Sequence, residues 1–319
     1  MPFEEKPFLC AIIGPTAVGK TRLSLELAES LSAEIVSVDS RQVYRLLDIG
    51  TAKATREERE RVPHHLIDVA EPTERFSASR FVELAEAAIR EIRARGRNVL
   101  LVGGTPFYFQ ALLSGILTGD LPSNPAVRLR LEESLRSEGK EALHKRLRAI
   151  DESTASRIHP NDGVRIVRAL EIYELTGQPP SLAFRTREPM AFPAEVLYIG
   201  LTRSRQDLRE RIADRVRAQM EEGFLEEVAS LLERGIDERY PSMQGLGYRE
   251  LVASLRGRIA LDQAVEKIIH ATWAFARRQM TWFSKFEPAV WYDMTRSESV
   301  FQVREILRTI AESQRGGRC

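Results

Sequence analysis

Gly14-Pro15-Thr16-Ala17-Val18-Gly19-Lys20-Thr21 matches every fixed position of the phosphate-binding loop Gly-x-x-x-x-Gly-Lys-Thr. An apolar run over 8–13 precedes this loop, as a buried parallel strand would, and leucines at helical spacing follow it over 22–31. Strand, glycine-rich loop and helix form the context in which the motif binds phosphate. The backbone N–H groups would point at phosphate oxygens, Lys20 would add a full positive charge, and the Thr21 hydroxyl could bind Mg2+. The loop therefore predicts a ligand with a diphosphate or triphosphate.

The composition is that of an ordinary globular protein. The 319 residues, 43% of them hydrophobic, suffice for one large domain or two smaller ones. The net charge of +1 gives no overall basic signature, so an RNA site would have to be a local patch. The two cysteines, Cys10 and Cys319, lie at opposite ends of the chain, which argues against a disulfide framework or zinc site and suits a reducing cytoplasm. No signal peptide and no membrane span are expected, since no run approaches about 18 apolar residues.

The first third of the chain alternates strand and helix patterns. Further strands are predicted at 34–38 and 98–102, and a helix is predicted at 81–95, where apolar residues recur at helical spacing. This alternation indicates an α/β fold, a P-loop NTPase-like parallel sheet flanked by helices. Ligands of such sheets gather at the carboxyl ends of the strands, where Asp39-Ser40 and Gly103-Gly104-Thr105 follow the two further strands.

The pattern changes near Thr118, where a turn-rich stretch leads into helical patterns without a strand between them. These patterns cover 126–137, 140–150 and 164–175. A strand pattern returns at 194–201, and from Leu208 the chain is expected to be helical to its end apart from short breaks. The predicted organisation is a P-loop catalytic core of residues 1–117 and 195–319 and an all-helical insertion domain of residues 118–194.

Two polar residues at the predicted sheet edge have alternative interpretations. Asp39 could be a metal ligand or a general base, or it could cap a helix, as aspartate commonly does. Thr105 offers a hydroxyl to a ligand, but the same sequence suits a tight strand-to-helix turn with a capping threonine. His64-His65 resembles a metal-binding pair only superficially, because adjacent residues of an extended segment point to opposite sides.

Arginines recur at helical spacing in three later segments. Arg165 and Arg168 share a helix face that could contact a phosphodiester backbone, or could pair with Glu171. Arg211 and Arg215 also share a face, and one of them could reach a diphosphate instead of forming surface salt bridges. The segment 274–283 interleaves basic and aromatic residues, which suits RNA, although its aromatic residues suit a core equally well.

Taken together, these motifs resemble the tRNA dimethylallyltransferases, also called tRNA isopentenyltransferases, of the bacterial type. The ordered set covers nearly the whole chain and is far more specific than the phosphate loop alone. Its members are Gly14–Thr21, Asp39-Ser-Arg-Gln-Val-Tyr44, Asp48-Ile-Gly-Thr-Ala-Lys53, His64-His-Leu-Ile-Asp68, Gly103-Gly-Thr105, Asn161-Asp162 with Arg165–Glu171, and Arg278-Gln-Met-Thr-Trp282.

The resemblance implies transfer of a dimethylallyl group from dimethylallyl diphosphate to N6 of adenosine 37, in tRNAs that read codons beginning with U. It implies Mg2+ as cofactor, no ATP hydrolysis, and a monomeric cytoplasmic enzyme whose helical insertion closes over the anticodon stem-loop. The diphosphate would be a leaving group, and the acceptor base would leave its stack to reach the site.

The same resemblance implies roles for individual residues. Asp39 would accept the proton of the adenine amine, Thr105 would hold a substrate in line, and Arg215 would stabilise the leaving diphosphate. The diphosphate would be bound by Gly14, Thr16, Ala17, Val18, Gly19, Lys20 and Thr21, with Thr21 as the Mg2+ ligand. The tRNA would be contacted by Asp39, Ser40, Arg41, Gln42, Thr105, Arg128, Val164, Arg165, Ile166, Val167, Arg168 and Arg278.

One motif departs from the family pattern. The family often has Gly-Gly-Thr-Gly-Leu-Tyr where this chain has Gly103-Gly104-Thr105-Pro106-Phe107-Tyr108. Pro106 and Phe107 would stiffen the turn that follows Thr105 and could alter the prenyl pocket.

Three other functions compete with this interpretation. A small-molecule or nucleoside kinase would share the loop and Mg2+, but it gives no reason for the Asp39 and Gly103 motifs. A GTP switch protein would need an Asn-Lys-x-Asp guanine motif, which this chain lacks. An RNA-binding module without catalysis leaves the phosphate loop unexplained.

Overall fold

The computed structural model describes residues 8–115, 121–183, 196–286, 289–295 and 305–309. Its contacts divide the chain into two compact units. Unit 1 comprises Met1–Leu112 and Ala191–Cys319, and unit 2 comprises Leu113–Met190. The predicted boundaries at 117/118 and 194/195 lie outside the described residues. Within the described ranges, no helix is long and apolar enough to cross a membrane.

Unit 1 is built on a six-stranded sheet in which every neighbouring pair of strands is parallel. The strand order is β3-β2-β4-β1-β5-β6. The predicted P-loop NTPase-like parallel sheet with flanking helices is thereby confirmed. The strands are β1 (Leu9–Ile13), β2 (Ala33–Val38), β3 (His64–His65), β4 (Asn98–Gly103), β5 (Leu197–Thr202) and β6 (Ala289–Asp293).

In unit 1 the helices lie between successive strands of the chain, and in the described part of unit 2 all regular elements are helices. In chain order they are α1 (Lys20–Ser30), α2 (Arg56–Arg61), α3 (Ala78–Ala94), α4 (Pro106–Ser114), α5 (Pro125–Glu138), α6 (Lys140–Ile150), α7 (Glu152–Arg157), α8 (Gly163–Thr176), α9 (Pro180–Ala183), α10 (Arg205–Glu221), α11 (Phe224–Glu233), α12 (Tyr248–Leu255) and α13 (Leu261–Phe283), with a 3-10 turn at Pro241–Gln244.

The central strands are buried because helices cover the sheet. All five residues of β1 are buried, as are all six of β2. Leu23 and Leu27 of α1 join one core cluster with Cys10 and Ile12 of β1. Burial of such side chains contributes roughly 1.5–3 kcal/mol each, and it fixes α1 directly behind the phosphate loop.

The expectation of helix from Leu208 to the end is wrong at β6. This strand pairs in parallel with β5, with Trp291 beside Gly200. A Cβ atom at Gly200 would lie 2.5 Å from the Trp291 ring, so the glycine makes room for the indole. Val290, Trp291 and Tyr292 favour extended structure, but a five-residue edge strand is too short for a clear period-2 pattern.

A buried cation fixes the loop between β2 and α2. Lys53 donates to the backbone oxygen of Tyr44 at 2.8 Å and forms ion pairs with Asp48 and Asp68, the latter at 2.6 Å. Its side chain is 1% exposed. Burying an ammonium group is costly unless carboxylates and carbonyls surround it, as they do here.

A carboxylate on α11 holds the same loop from the other side. Glu227 accepts hydrogen bonds from the backbone N–H groups of Asp48, Ile49 and Gly50, and from the Tyr248 hydroxyl. The contacts of the Asp48–Lys53 motif therefore stabilise the loop between β2 and α2.

Unit 2 has its own apolar core. Leu131 of α5, Leu143 and Leu147 of α6, and Ile166 and Leu170 of α8 pack in one cluster, and each is at most 1% exposed. Asp151 begins α7 by accepting hydrogen bonds from the Thr154 backbone and hydroxyl. The predicted helices of this region are present, and α7 and the short α9 are additional ones.

Replacing Lys53 by Met should destabilise unit 1 strongly. The substitution leaves the Asp48 and Asp68 carboxylates facing each other without their shared cation, and we expect the free energy of unfolding to fall by about 3 kcal/mol. Urea denaturation followed by circular dichroism measures this loss. The matched control is Arg59→Met, which removes the half-exposed partner of Asp68 and should cost less than about 1 kcal/mol. Equal losses in the two variants would contradict the account.

Candidate functional site

Three polar segments meet at the carboxyl edge of the sheet because of the strand order. Strand β4 lies between β2 and β1, so the turn Gly103–Thr105 lies between the phosphate loop and Asp39-Ser40. A Cβ atom at Gly103 would lie 2.0 Å from the Val38 backbone oxygen. Glycine is therefore required where the β4 turn crosses the end of β2.

The phosphate loop has the curled backbone that its sequence predicts. Gly19 has a φ of 111° and precedes the first residue of α1. The Lys20 ammonium group lies inside the loop and donates to the backbone oxygens of Gly14 at 2.9 Å and Pro15 at 2.8 Å. The loop is thus concave around the lysine, with a helix N-terminus directly below it.

Three arginines donate hydrogen bonds to this loop. Arg215 donates to the Thr16 hydroxyl at 3.1 Å, Arg211 donates to the Ala17 backbone oxygen at 3.0 Å, and Arg203 donates to the Val18 backbone oxygen at 2.9 Å. Arg211 and Arg215 lie on α10, where the sequence places them on one face. Arg203 was not among the sequence candidates, and its position directly after β5 at the sheet edge was the available signal.

The electrostatics of the loop favour an anion. Burial lowers the pKa of the Lys20 ammonium from 10.5 to about 7; the nearby Asp39 carboxylate opposes this shift, and Arg215 adds to it. Burial also lowers the pKa of Arg215. Two partly buried cations held close together gain from a multivalent anion that bridges them.

Asp39 uses one carboxylate oxygen to build its own turn. Oδ1 accepts hydrogen bonds from the backbone N–H groups of Arg41 at 2.8 Å and Gln42 at 3.3 Å. Within the described residues, Oδ2 has no hydrogen-bond partner. Thr105 Oγ1 accepts from the Ser40 backbone N–H at 3.1 Å. The helix-capping interpretation of Asp39 is wrong, because a turn follows this residue and the next helix, α2, begins at Arg56. Oδ1 holds that turn, and Oδ2 remains available for the chemical role.

Two neighbours of Asp39 are held by the protein itself. The Gln42 side chain accepts from the Ser37 hydroxyl and donates to the backbone oxygens of Thr51 and Ala52. Arg41 donates to the Pro241 backbone oxygen at 2.6 Å. Both were predicted to contact tRNA, and in this structure both also stabilise the turn that carries Asp39.

A buried glutamine that the sequence reasoning did not single out joins two segments of the site. Gln279 accepts from the Thr16 backbone N–H at 2.9 Å and donates to the Gly104 backbone oxygen at 2.5 Å. Its neighbour Arg278, a predicted tRNA contact, is exposed and lies 6.0 Å from the Phe275 ring. A glutamine that follows two arginines on a helix carries little signal, because its two partners are about 175 and 263 residues away in sequence.

The predicted tRNA contacts of unit 2 differ in accessibility. Val164 is 82% exposed, whereas Ile166 and Val167 are 0% and 4% exposed and belong to the core of unit 2. Arg165 is exposed and pairs with Asp162. The segment therefore offers the side chains of Val164, Arg165 and Arg168 to a partner, because helical periodicity turns Ile166 and Val167 inward.

Arg128 and Arg168 share one buried carboxylate. Glu171 is fully buried and forms ion pairs with Arg128 at 2.6 Å and Arg168 at 2.7 Å. These pairs lower the pKa of Glu171 although burial opposes the shift. Two arginines on one carboxylate leave a net positive charge on this face of unit 2.

The two histidines of the His64-His65 pair contact different protein groups. His64 contacts the Val62 backbone oxygen and His65 contacts the Glu34 carboxylate, each at 2.7 Å. Among the described residues, no group of three or more His, Cys, Asp or Glu side chains could hold a metal ion. The structural role expected for this pair agrees with these contacts.

Comparison with known proteins adds independent information. The family model described as IPP transferase matches residues 42–286. A tRNA dimethylallyltransferase of Geobacter metallireducens is 46% identical over 294 residues, which cover 92% of this chain and 94% of the relative. A tRNA dimethylallyltransferase of Thermomicrobium roseum is 43% identical over 315 residues, which cover 98% of this chain and 94% of the relative.

Solved structures agree with the sequence relatives. The full-length tRNA isopentenylpyrophosphate transferase of Bacillus halodurans is similar with a TM-score of 0.72 and 41% identity, over 98% of this chain and 97% of the other. A eukaryotic dimethylallyltransferase acting on tRNA is similar with a TM-score of 0.74 and 28% identity, over 91% of this chain and 74% of the other.

The lowered pKa of Lys20 predicts a pH dependence of stability. Between about 7 and 10.5 the unfolded chain binds more protons at this lysine than the folded protein does, so stability rises with pH in that window. From about pH 7.5 to about pH 8.5, the wild type should gain about 1 kcal/mol relative to Lys20→Met. Thermal or urea unfolding of both proteins at the two pH values measures the difference. Parallel pH profiles would contradict the burial of the ammonium group.

Proposed function

This chain belongs to the IPP transferase family and is an enzyme that transfers a dimethylallyl group to tRNA, and we propose that the donor is dimethylallyl diphosphate and the acceptor is N6 of adenosine 37 in tRNAs that read codons beginning with U. The observation that carries the proposal is the position of the Gly103–Thr105 turn. It lies between the loop with the Gly-x-x-x-x-Gly-Lys-Thr motif and the Asp39 turn at one edge of the sheet.

The phosphate loop would hold the diphosphate as a leaving group. Cleavage of the allylic C–O bond places negative charge on the diphosphate, and Lys20 and Arg215 are the cations that would stabilise it. In the present structure both cations bind atoms of the loop itself. The ligand oxygens would replace these neutral acceptors and form stronger, charge-assisted hydrogen bonds.

A divalent cation fits the donor atoms at this edge. Mg2+ prefers oxygen ligands and is usually bound by one or two carboxylates together with substrate phosphates and water. The Thr21 hydroxyl is such a donor, and we propose that it holds Mg2+ together with oxygens of the diphosphate. The ion would neutralise charge on the leaving group.

The Asp39 carboxylate would act on the acceptor. An adenine amine is a poor nucleophile because its lone pair is delocalised into the ring, so removal of its proton must accompany bond formation. Oδ1 is held by the backbone, while Oδ2 has no partner among the described residues. Asp39 would take the proton on that oxygen, and Thr105 would hold the substrates in line.

The anticodon stem-loop is the proposed RNA partner. Adenosine 37 has to leave its stack before its N6 atom can reach a site at a sheet edge, as in other enzymes that modify bases. Arg278 in unit 1 and Arg128, Arg165 and Arg168 in unit 2 are proposed to bind phosphates of the loop. We propose that the enzyme acts as a monomer in the cytoplasm.

A test of the reaction uses radiolabelled dimethylallyl diphosphate and an unmodified anticodon stem-loop with adenosines at 36 and 37, with Mg2+ and without ATP. The wild type should label adenosine 37 and should not label a stem-loop that carries guanosine there. Asp39→Asn should lower kcat by about 10²–10⁴-fold because the variant lacks a general base. Asp237→Asn, which changes a carboxylate that pairs with Arg239, should keep the wild-type rate.

Two results would contradict the proposal. Labelled stem-loop with guanosine at position 37 would show a different acceptor. ATP consumption on a small substrate, without any prenyl transfer, would favour a kinase.

The proposed RNA contacts predict a change in salt dependence. Arg165→Gln removes an exposed arginine without uncovering a buried partner, so the slope of log affinity for tRNA against log salt should decrease by about one. Filter binding at several salt concentrations measures this slope. The control Arg148→Gln removes another exposed arginine of unit 2 and should leave the slope unchanged. An unchanged slope in Arg165→Gln would exclude this arginine from the interface.

A further inference from the structure

We propose that Gln279 is a positioning residue that sets the phosphate loop against the Gly103–Thr105 turn, and thereby sets the prenyl donor against the acceptor base. The inference rests on the proposed function, because it assigns the donor to one of these segments and the acceptor to the other.

Gln279 bridges the two segments through both polar atoms of its amide. Oε1 accepts from the Thr16 backbone N–H at 2.9 Å, and Nε2 donates to the Gly104 backbone oxygen at 2.5 Å. The side chain is 3% exposed. A buried amide with two backbone partners is held in one orientation, since any other rotamer leaves buried polar groups without partners.

The bridge continues into the reacting groups on each side. On the donor side, the Thr16 hydroxyl accepts from Arg215, the proposed diphosphate ligand. On the acceptor side, Thr105 directly follows Gly104, and its hydroxyl binds the Ser40 backbone next to Asp39. The Gln279 side chain thus connects the loop that contacts Arg215 with the turn that contacts the backbone next to Asp39.

Gln279 approaches the Gly104 backbone more closely than a side chain at Gly104 would permit. A Cβ atom at Gly104 would lie 2.6 Å from Gln279 Nε2 and 3.9 Å from the Lys20 ammonium group. The absence of a side chain at Gly104 therefore lets the amide approach the backbone directly. This position lies against the loop lysine, where a small displacement would move the donor.

Helix α13 provides a firm base for the glutamine. Ala276, one turn before Gln279, is fully buried against Leu208 and Ile212 of α10. Phe283, one turn after it, is also fully buried and contacts the Phe109 ring. Because α10 carries Arg215 and α4 carries Phe109, the helix that bears Gln279 packs on elements from both sides of the site.

Gln279 does not have to touch a substrate to affect the rate. Both polar atoms of its side chain are engaged by the protein backbone, so it would act through the two segments that it joins. Displacement of reacting groups by about 1 Å can lower a rate about 10²-fold, whereas the cations that bind the diphosphate remain in place. The expected signature is a loss of kcat with donor affinity preserved.

Three substitutions at one position test this role. Gln279→Met keeps the length and removes both hydrogen bonds, Gln279→Glu places an oxygen against the Gly104 carbonyl, and Gln279→Asn keeps the amide but is one methylene shorter. For each, single-turnover transfer to the stem-loop gives the rate, and calorimetry with inorganic diphosphate and Mg2+ gives donor-site affinity. The matched control is Gln219→Met, which removes another buried glutamine that donates to the Ile49 backbone oxygen at 2.5 Å.

We expect Gln279→Met and Gln279→Glu to transfer about 10²-fold more slowly at saturating substrates, with diphosphate affinity close to that of the wild type. The transfer rate of Gln279→Asn should lie between the rates of these two variants and that of the wild type. Gln219→Met should be less stable than the wild type but should transfer at the wild-type rate. A wild-type rate in Gln279→Met would overturn the inference. So would a loss of diphosphate affinity in Gln279→Asn with kcat unchanged, which would make Gln279 a donor-binding residue. Failure of the wild type to transfer a dimethylallyl group would instead refute the proposed function.

Discussion

The parallel register of β2, β4 and β1 is the constraint on which the rest of the site depends. Three adjacent buried strands that run in the same direction must end at the same edge, and each end brings one polar segment to that edge. Since β4 is the middle strand, its turn separates the phosphate loop from Asp39. The glycines of that turn are required because Gly103 passes against the Val38 backbone and Gly104 against Gln279.

This arrangement separates the charges that the reaction needs. Cations gather on the β1 side, where burial lowers the pKa values of Lys20 and Arg215, and in the proposed reaction both would stabilise the leaving diphosphate. On the β2 side, Oδ2 of Asp39 has no partner among the described residues and would accept the proton in the proposed reaction. The framework residues Lys53 and Glu227 act at a distance from both, by holding the long loop that follows Asp39.

The sequence predicts the parts of this site that are encoded locally. The phosphate loop and the Asp39 and Thr105 positions follow from contiguous motifs that come directly after apolar strands, and the helical pattern places Arg211 and Arg215 on one face. Gln279, Arg203 and the Glu227 contacts could not be found in this way, because each depends on pairing across many residues. A family motif contains core residues as well as surface ones. Ile166 and Val167 were therefore assigned to the tRNA interface with their neighbours, although both are buried. The short edge strand β6 was missed because tertiary pairing with β5, rather than periodicity, determines its conformation.

Direct displacement of diphosphate by the adenine amine is the reaction expected if donor and acceptor lie on opposite sides of the Gly103–Thr105 turn, as proposed. It is tested most directly with dimethylallyl diphosphate carrying deuterium stereospecifically at C1, followed by analysis of the configuration at that carbon in the modified adenosine. The account predicts inversion, because the amine attacks from the Asp39 side while diphosphate departs toward Lys20. Retention would contradict it by requiring an enzyme-bound prenyl intermediate, and a racemic product would contradict it by requiring a free allylic cation.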